Sequence, residues 1–184
     1  MDYAASTLAA GRRRGVSRLV AGDGVALPFA DGTFDCVLAL DVIEHFEDDA
    51  AVMREAVRCL RTGGLMVLSV PAFMALWRTH DELYGHYRRY RRRQLIDLID
   101  ATGLRLLECH FTRCLLFFPL LVWARMNRGG RPDRPPRDDF FELPRWLNHL
   151  LHLQIVWEAR SGVNRVLPFG VSLLAIGRKP SPAA

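Results

Sequence analysis

The sequence contains a single lysine, Lys179, although lysine and arginine together number 25. The positive charge is therefore almost entirely arginine, which we interpret as a compositional bias of the whole chain. The cysteines lie in apolar stretches and form no CxxC pair, which excludes a disulfide framework and a cysteine zinc site. We expect all four to be buried, reduced thiols of a cytosolic protein: Cys36, Cys59, Cys109 and Cys114.

Long apolar runs are also missing. The longest, Cys114–Ala124, is interrupted by Pro119, and it is much shorter than the roughly 20 residues that a membrane-spanning helix needs. We recognise no secretory signal near Met1. We therefore expect a cytoplasmic protein, with peripheral contact to a membrane left open. With 184 residues, half of them hydrophobic, the chain suits one globular domain.

Strand-like and helix-like apolar patterns alternate along the first two thirds of the chain. Phe34–Leu40 and Leu65–Val70 show little polar alternation, which is typical of parallel strands covered on both faces. Between them, apolar residues recur at helical spacing after a predicted cap at Asp48 or Asp49. Other predicted elements are helices at 3–14, 92–101, about 114–127 and 144–160, and strands at 18–22, 104–111 and 170–177. This order predicts a doubly wound α/β domain.

We divide the chain into four parts. Residues 1–112 form the predicted core, and 113–165 form an apolar helical insertion or cap that contains a Pro/Arg-rich loop at 128–139. Residues 166–178 supply a final sheet strand, and 179–184 form a tail. For the insertion we favour two helices that pack on each other and on the sheet, and a lipid-facing cover is the alternative.

Candidate site residues follow three of the predicted strands. In open α/β sheets, ligands bind beyond the carboxyl ends of the strands. This rule selects Asp23-Gly24, Asp41–His45 and Pro71–Phe73. Acidic residues at such ends suit the hydroxyl or amino groups of a cofactor, although each of them alone is more often a helix cap or a turn residue.

Together these segments resemble a known family. GDGVALPFADGTFDCVLALDVIEH and RCLRTGGLMVLSVP are similar to the class I methyltransferases that use S-adenosylmethionine (SAM), over roughly residues 2–112. The resemblance implies a Rossmann-like, mostly parallel sheet and SAM as the cofactor. It implies that Asp23 and the Gly24 amide bind the adenine, that Asp41 and Val42 lie along the methionine part, and that Asp2 binds the ribose hydroxyls.

One feature of that family is absent from the sequence, namely the GxGxG-type turn after its first strand. The resemblance therefore implies a sheet without the family's first strand, cofactor-loop helix and second strand, in which Phe34–Leu40 lacks a neighbour on one side. An uncovered apolar strand edge aggregates or pairs with another chain. Two interpretations follow: a late-started or truncated methyltransferase, or a remnant without cofactor that binds a partner chain across this edge.

The segment AFMALWRTHDELYGHYRRYRRRQL follows Pro71 and resembles a methyltransferase subgroup with a VPA…LW…HD…GH.RRY pattern. Candidate bases for the acceptor's proton are His45, His80 and His86. Candidates for holding an anionic substrate group are Arg88, Arg89 and Tyr90. The alternative for this Arg-Arg-Tyr run is that it anchors the following helix while the next arginines are solvated.

Methyl transfer from a sulfonium is an in-line displacement that needs no metal, and no HxH or HExxH spacing is present, so we expect no metal. The sequence favours SAM-dependent methyl transfer to a small-molecule or lipid-like acceptor. The alternatives are the non-catalytic partner-binding remnant and an arginine-driven nucleic-acid or membrane-surface module. We do not expect nucleic-acid binding, because the clustered arginines are confined to one loop.

Overall fold

The computed structural model describes residues 5–126 and 143–181. The predicted ribose-binding Asp2 and the loop at 128–139 lie outside these residues. The helices are α1 (Ala5–Arg13), α2 (Asp49–Cys59), α3 (Thr79–Leu83), α4 (Arg92–Ala101), α5 (Phe117–Met126), α6 (Arg145–Ser161) and α7 (Val163–Val166). The strands are β1 (Phe34–Leu40), β2 (Leu60–Pro71), β3 (Arg105–Thr112) and β4 (Ser172–Arg178), and 3-10 turns at Ile43–His45 and Met74–Leu76 follow β1 and β2.

The strands form one sheet with the order β1-β2-β4-β3. β1 and β2 are parallel, and β4 is antiparallel to both β2 and β3. It follows that β1, β2 and β3 all run in the same direction and that β4 alone is reversed. The predicted Rossmann-like α/β fold with a mostly parallel sheet is confirmed.

The connection from α2 to β2 is tighter than the sequence predicted. The Asp48 side chain caps α2 by accepting a hydrogen bond from the Ala51 amide at 2.9 Å, as one of the two predicted caps. The helix ends at Cys59, and Leu60 already begins β2, so Gly63-Gly64 lies inside the strand instead of ending the helix. Lys179 donates hydrogen bonds of 2.8 Å to the carbonyls of Val57 and Leu60, and thus satisfies carbonyls at this helix end.

β1 is not buried on both faces, which corrects the prediction for Phe34–Leu40. The Leu38 and Leu40 side chains are 63% and 53% exposed. Among the described strands, β1 pairs with β2 alone, so it forms an edge of the sheet. Cys36 is exposed on the same strand, whereas the other three cysteines are buried as predicted.

The strand predicted at Arg18–Gly22 does not form in the structure. This segment is irregular and leads to an isolated antiparallel bridge between Asp23 and Ala26. The loop that follows is held by α2 instead of by the sheet. The Leu27 amide donates to Glu55 at 2.9 Å, and Arg58 donates to the carbonyls of Leu27 and Phe29 at 3.1 and 2.8 Å.

The final strand lies within two residues of the strand predicted at 170–177. α7 ends at Val166, and β4 runs from Ser172 to Arg178. α6 ends at Gly162, whose left-handed backbone (φ 73°) is also the N-cap position of α7.

α5 and α6 leave much of their apolar surface exposed, more than the favoured packing on each other and on the sheet implies. α5 buries only Ala124, and α6 buries only Glu158. Exposed apolar residues on and next to the two helices are Leu115, Phe118, Val122, Met126, Trp146, Leu150, Leu153, Ile155 and Trp157. None of the described helices combines the length and the apolar character needed to cross a membrane.

Glu158 attaches α6 to the chain ahead of α5. Its buried carboxylate accepts hydrogen bonds from the backbone amides of Cys114 and Leu115 at 2.8 and 2.9 Å. The Gln154 side chain also donates to it. The Glu158 carboxylate thus provides the hydrogen-bond acceptor for these two backbone amides ahead of α5.

We expect the substitution Glu158→Gln to lower the free energy of unfolding by about 2 kcal/mol, because a neutral amide turns an N–H toward backbone amides that remain buried. Urea unfolding measures the difference. The matched control is Glu108→Gln, which removes an exposed ion pair with Arg165 and should change stability by about 0.5 kcal/mol or less. Equal effects of the two substitutions would contradict the role given to Glu158.

Glu55 makes stability depend on pH. The Arg58 guanidinium and the Leu27 amide lower the pKa of Glu55 from 4.5 to about 2. A carboxyl group with a lowered folded-state pKa stabilises the protein above its unfolded-state pKa, and this contribution is lost as the pH falls through the folded-state value.

We therefore expect Glu55→Gln to lower the free energy of unfolding by about 1 kcal/mol at pH 7. The difference from the unsubstituted protein should shrink between pH 4.5 and pH 2. Urea titrations at several pH values measure it, with exposed Glu47→Gln as the control. A difference that stays constant over this pH range would refute the assignment.

Candidate functional site at the carboxyl edge of the sheet

The carboxyl ends of β1, β2 and β3 lie at one edge of the sheet, where β4 begins. Pro71 at the end of β2 and Thr112 at the end of β3 are both paired with Ser172. Three residues other than glycine have a positive φ in the described chain, and each follows one of these strand ends. They are Asp41 (52°), Phe73 (57°) and Arg113 (55°). Such strained backbone is concentrated at ligand-binding and catalytic sites.

Asp41 turns the chain away from the sheet directly after β1. Its amide donates to the Ser69 carbonyl at 2.8 Å, and the Ser69 hydroxyl donates to its Oδ1 at 3.1 Å. The side chains of Asp41 and Val42 are exposed. The structure thus presents both predicted cofactor-binding residues at the strand end.

Asp23 and Gly24 form a turn next to the segment that follows β1. The Val25 amide donates to Oδ1 of Asp23 at 3.1 Å, and the Asp23 side chain is exposed. A Cβ atom on Gly24 would lie 2.7 Å from the Phe46 ring, so only glycine fits in this position without a shift. Phe46 follows the 3-10 turn after Asp41, which brings the two predicted cofactor segments to the same region.

The segment after β2 is organised by one buried ion pair. Asp81 has no exposed surface, and it accepts two hydrogen bonds from the Arg89 guanidinium at 2.8 and 2.9 Å. Asp81 also accepts from the Arg78 amide at 2.9 Å and lies 2.8 Å from Nδ1 of His86. Burial alone would raise the pKa of Asp81, but the bonds from Arg89 outweigh it and the pKa is lowered.

The three histidines proposed as bases lie close together. The ring of His86 is perpendicular to that of His45 at a centroid distance of 4.6 Å, and it lies 6.2 Å from that of His80. Glu44 is completely buried beside them. Possible ligand atoms of Glu44, His45 and His86 lie within 4.8 Å of one another.

Burial changes the protonation of this cluster. It raises the pKa of Glu44 from 4.5 to about 7, and the charge of Asp41 adds to the effect while Arg89 opposes it. Burial, followed by the neighbouring His86, lowers the pKa of His45. Burial thus disfavours the charged forms of both Glu44 and His45.

Arg88, Arg89 and Tyr90 are all held by partners within the protein. Arg88 donates to Asp49 at 3.0 Å, and the hydroxyl of the buried Tyr90 donates to the same carboxylate oxygen at 2.7 Å. The three residues line a cavity of about 260 Å³ together with Asp49, Gln94 and Leu98. These bonds hold Arg88 and Tyr90 on α2 and Arg89 on Asp81, and the role of the three residues in substrate binding stays a prediction.

The arginines that follow serve α4. The Arg91 amide donates to the Gln94 side chain at 2.8 Å at the start of the helix, and Arg93 forms an exposed i,i+4 pair with Asp97. Arg92 donates to the Cys109 carbonyl on β3 at 3.1 Å. All three of these arginines are nonetheless exposed.

An aromatic cluster lies beside the ends of β2 and β3. Phe73 stacks on Phe111 at a centroid distance of 5.2 Å and meets Phe117 at 5.4 Å. Phe118 and Phe169 extend the cluster, and Phe118 is 55% exposed. This aromatic cluster makes one side of the site apolar.

The rule for strand ends selected Glu44 within Asp41–His45 but gave it no separate role, and Asp81 and Ser69 were given none. Glu44 and Asp81 each lie close to other polar and charged residues in the sequence, so no contrast with apolar neighbours marks them as buried. Their partners lie in other segments of the chain, so no local spacing indicates which of them would be buried.

Comparison with known proteins identifies the relatives of this chain. A family model described as a methyltransferase domain matches residues 1–68. A demethylmenaquinone methyltransferase of Corynebacterium kroppenstedtii is 39% identical over 82 residues, which covers 41% of this chain and 35% of the relative. Over these segments the chain is similar to methyltransferases.

Solved structures of methyltransferases share the fold. A methyltransferase structure from Bacillus halodurans has a TM-score of 0.59 at 19% identity and covers 98% of this chain and 81% of its own. A SAM-dependent methyltransferase of Thermotoga maritima has a TM-score of 0.59 at 18% identity, over 96% of this chain and 70% of its own. The chain spans between about a quarter and two thirds of the length of the curated methyltransferases that it matches.

We expect Arg89→Met to lower the free energy of unfolding by about 3–5 kcal/mol, because the substitution leaves the buried Asp81 charge without its partner. The control Arg93→Met removes an exposed ion pair and should cost about 0.5 kcal/mol or less. Thermal or urea unfolding compares the two variants. A loss of similar size in both would show that the Asp81–Arg89 pair does not hold this segment.

Proposed function

We propose that this chain catalyses SAM-dependent methyl transfer to a small-molecule or lipid-like acceptor, with the carboxyl edge of the sheet as its site. The main support for this location is that the three residues with strained backbone, Asp41, Phe73 and Arg113, all lie at this edge. In open α/β sheets, ligands bind there. The relation to methyltransferases supports the type of reaction.

The described residues fit the cofactor that the family uses. SAM, when bound, supplies an electrophilic methyl group on its sulfonium. Asp41 and Val42 would lie along its methionine part, because both are exposed at the end of β1. Asp23 and the Gly24 amide would hold the adenine from the turn that packs on Phe46, and Asp2 would bind the ribose hydroxyls.

The methyl acceptor would lie between the three candidate histidines and the aromatic cluster around Phe73 and Phe111. Because the reaction is an in-line displacement, most of the contribution of the protein is to hold the acceptor atom in line with the methyl group. His45, His80 and His86 remain candidate proton acceptors for an acceptor that must lose a proton. The stacked Phe73 and Phe111 favour an acceptor with an apolar part.

A second candidate function rests on the exposed edge of β1. Leu38 and Leu40 are more than half exposed on a strand that pairs on one side only among the described strands. A non-catalytic methyltransferase remnant would bind the strand of a partner chain at this edge.

Calorimetric titration of the chain with SAM tests the main proposal. We expect saturable binding and a Kd at least about 10-fold higher for Asp41→Asn, because the substitution removes a charge beside the cofactor's amino group. The control Asp97→Asn removes an exposed carboxylate on α4 and should leave the Kd unchanged.

Absence of SAM binding to a sample that is folded by circular dichroism would overturn the proposal and favour the partner-binding function. Equal affinities of the Asp41 and Asp97 variants would overturn the placement of the cofactor.

A further inference from the structure

Glu44 is a buried carboxylate without a partner in the part of the chain that the structure describes. Its side chain has no exposed surface, and neither carboxylate oxygen has a hydrogen-bond donor. The Arg89 guanidinium does not bind it, because Arg89 makes both of its short bonds with Asp81. A carboxylate taken out of water without a donor or a cation is unfavourable, so this position suits a missing cation.

Two histidines complete a possible ligand set around Glu44. Possible ligand atoms of Glu44, His45 and His86 lie within 4.8 Å of one another. His45 adjoins Glu44 in the turn after β1, and His86 reaches it from the segment after β2, where the Tyr87 amide donates to the Glu44 carbonyl at 2.8 Å. The backbone thus joins the two segments at this point.

Asp81 orients His86 as a ligand. Nδ1 of His86 lies 2.8 Å from Oδ1 of Asp81, whose two oxygens are held by Arg89. A charged carboxylate at this distance selects the tautomer with the proton on Nδ1 and leaves the lone pair on Nε2. Histidines that bind a metal usually donate their other ring N–H to a carboxylate or a carbonyl in this way, which fixes the orientation of the ring and raises its basicity.

The His45 ring packs against the His86 ring, which it meets almost at a right angle with a centroid distance of 4.6 Å. Both histidines are half-buried.

We propose that Glu44, His45 and His86 form a binding site for one divalent transition-metal ion of the zinc type, with a further coordination position open. Two imidazole nitrogens and one carboxylate oxygen are a ligand set that zinc and similar ions accept. This differs from the expectation of no metal, which rested on local spacing, since the ligands here come from two separate segments.

The distances require a modest contraction. Zinc ligands lie about 2.0–2.2 Å from the ion, and tetrahedral ligands at that distance are roughly 3.4 Å apart. The possible ligand atoms lie within 4.8 Å of one another, and on metal binding they would come closer by rotation of the Glu44 and His45 side chains. Because Asp81 already fixes His86, that ring provides the stationary ligand.

Metal binding does not depend on the proposed methyl transfer. A bound ion would use the lone pairs of His45 and His86, and it would therefore replace their assignment as proton acceptors. The open position would bind an oxygen or nitrogen atom of an acceptor. A metal titration without SAM separates the failure of this proposal from the failure of the proposed function.

The test is a titration of the chain with Zn²⁺ by calorimetry and with Co²⁺ by visible absorption. The parent is the double variant His149→Asn/His152→Asn, which removes two exposed histidines of α6 that would bind metal adventitiously. We expect one ion per chain, visible d–d bands with Co²⁺, and an increased Tm on addition of Zn²⁺.

Glu44→Gln and His86→Asn should each weaken Zn²⁺ binding by about 100-fold and abolish the Co²⁺ bands. His110→Asn, a half-buried histidine on β3, is the matched control and should bind as the parent does. Glu44→Gln preserves the shape of the side chain, and it therefore decides the question if His86→Asn is unfolded by circular dichroism. Absence of d–d bands in the parent, or equal affinity of the parent and Glu44→Gln, would overturn the proposal.

Discussion

The buried ion pair between Asp81 and Arg89 is the interaction on which the segment after β2 depends. Two buried charges are tolerated because every oxygen of the carboxylate is hydrogen-bonded, to Arg89, to the Arg78 amide and to His86. The pair closes the chain between β2 and α4 and sets the direction of the His86 ring. Asp81, His86 and Arg89 all belong to the motif that resembles a methyltransferase subgroup, so part of that motif serves to hold the site in position.

Local patterns were sufficient to predict the elements whose stability is local. The Asp48 cap and the apolar spacing of α2 predicted that helix, and the bounds of β1 and α4 agree with their predictions. The segment at 18–22 failed because its apolar residues find no neighbouring strand with which to pair. The predicted burial of Leu38 and Leu40 was wrong for the same reason. Whether these side chains are buried depends on the elements that lie beside β1 and not on the sequence of β1 itself.

The site could be predicted only as a region. The rule for strand ends selected Asp41 and the segments around it, and the structure shows strained backbone at each of the three ends. Which polar residues are buried could not be derived, because Glu44 meets His86 across a long stretch of intervening chain. Likewise, Arg88 and Tyr90 look available for a substrate in the sequence, yet both bind Asp49 of α2.

The position of β4 has a consequence for how the protein is made. β2 and β3 do not pair with each other, and both pair with β4, which is the last strand of the described sheet. A ribosome that has synthesised everything up to α7 has therefore produced a parallel pair and a separate strand, with no sheet to join them. Only when β4 emerges can it insert between β2 and β3, so native sheet assembly is a late and cooperative event that relies on contacts between distant residues.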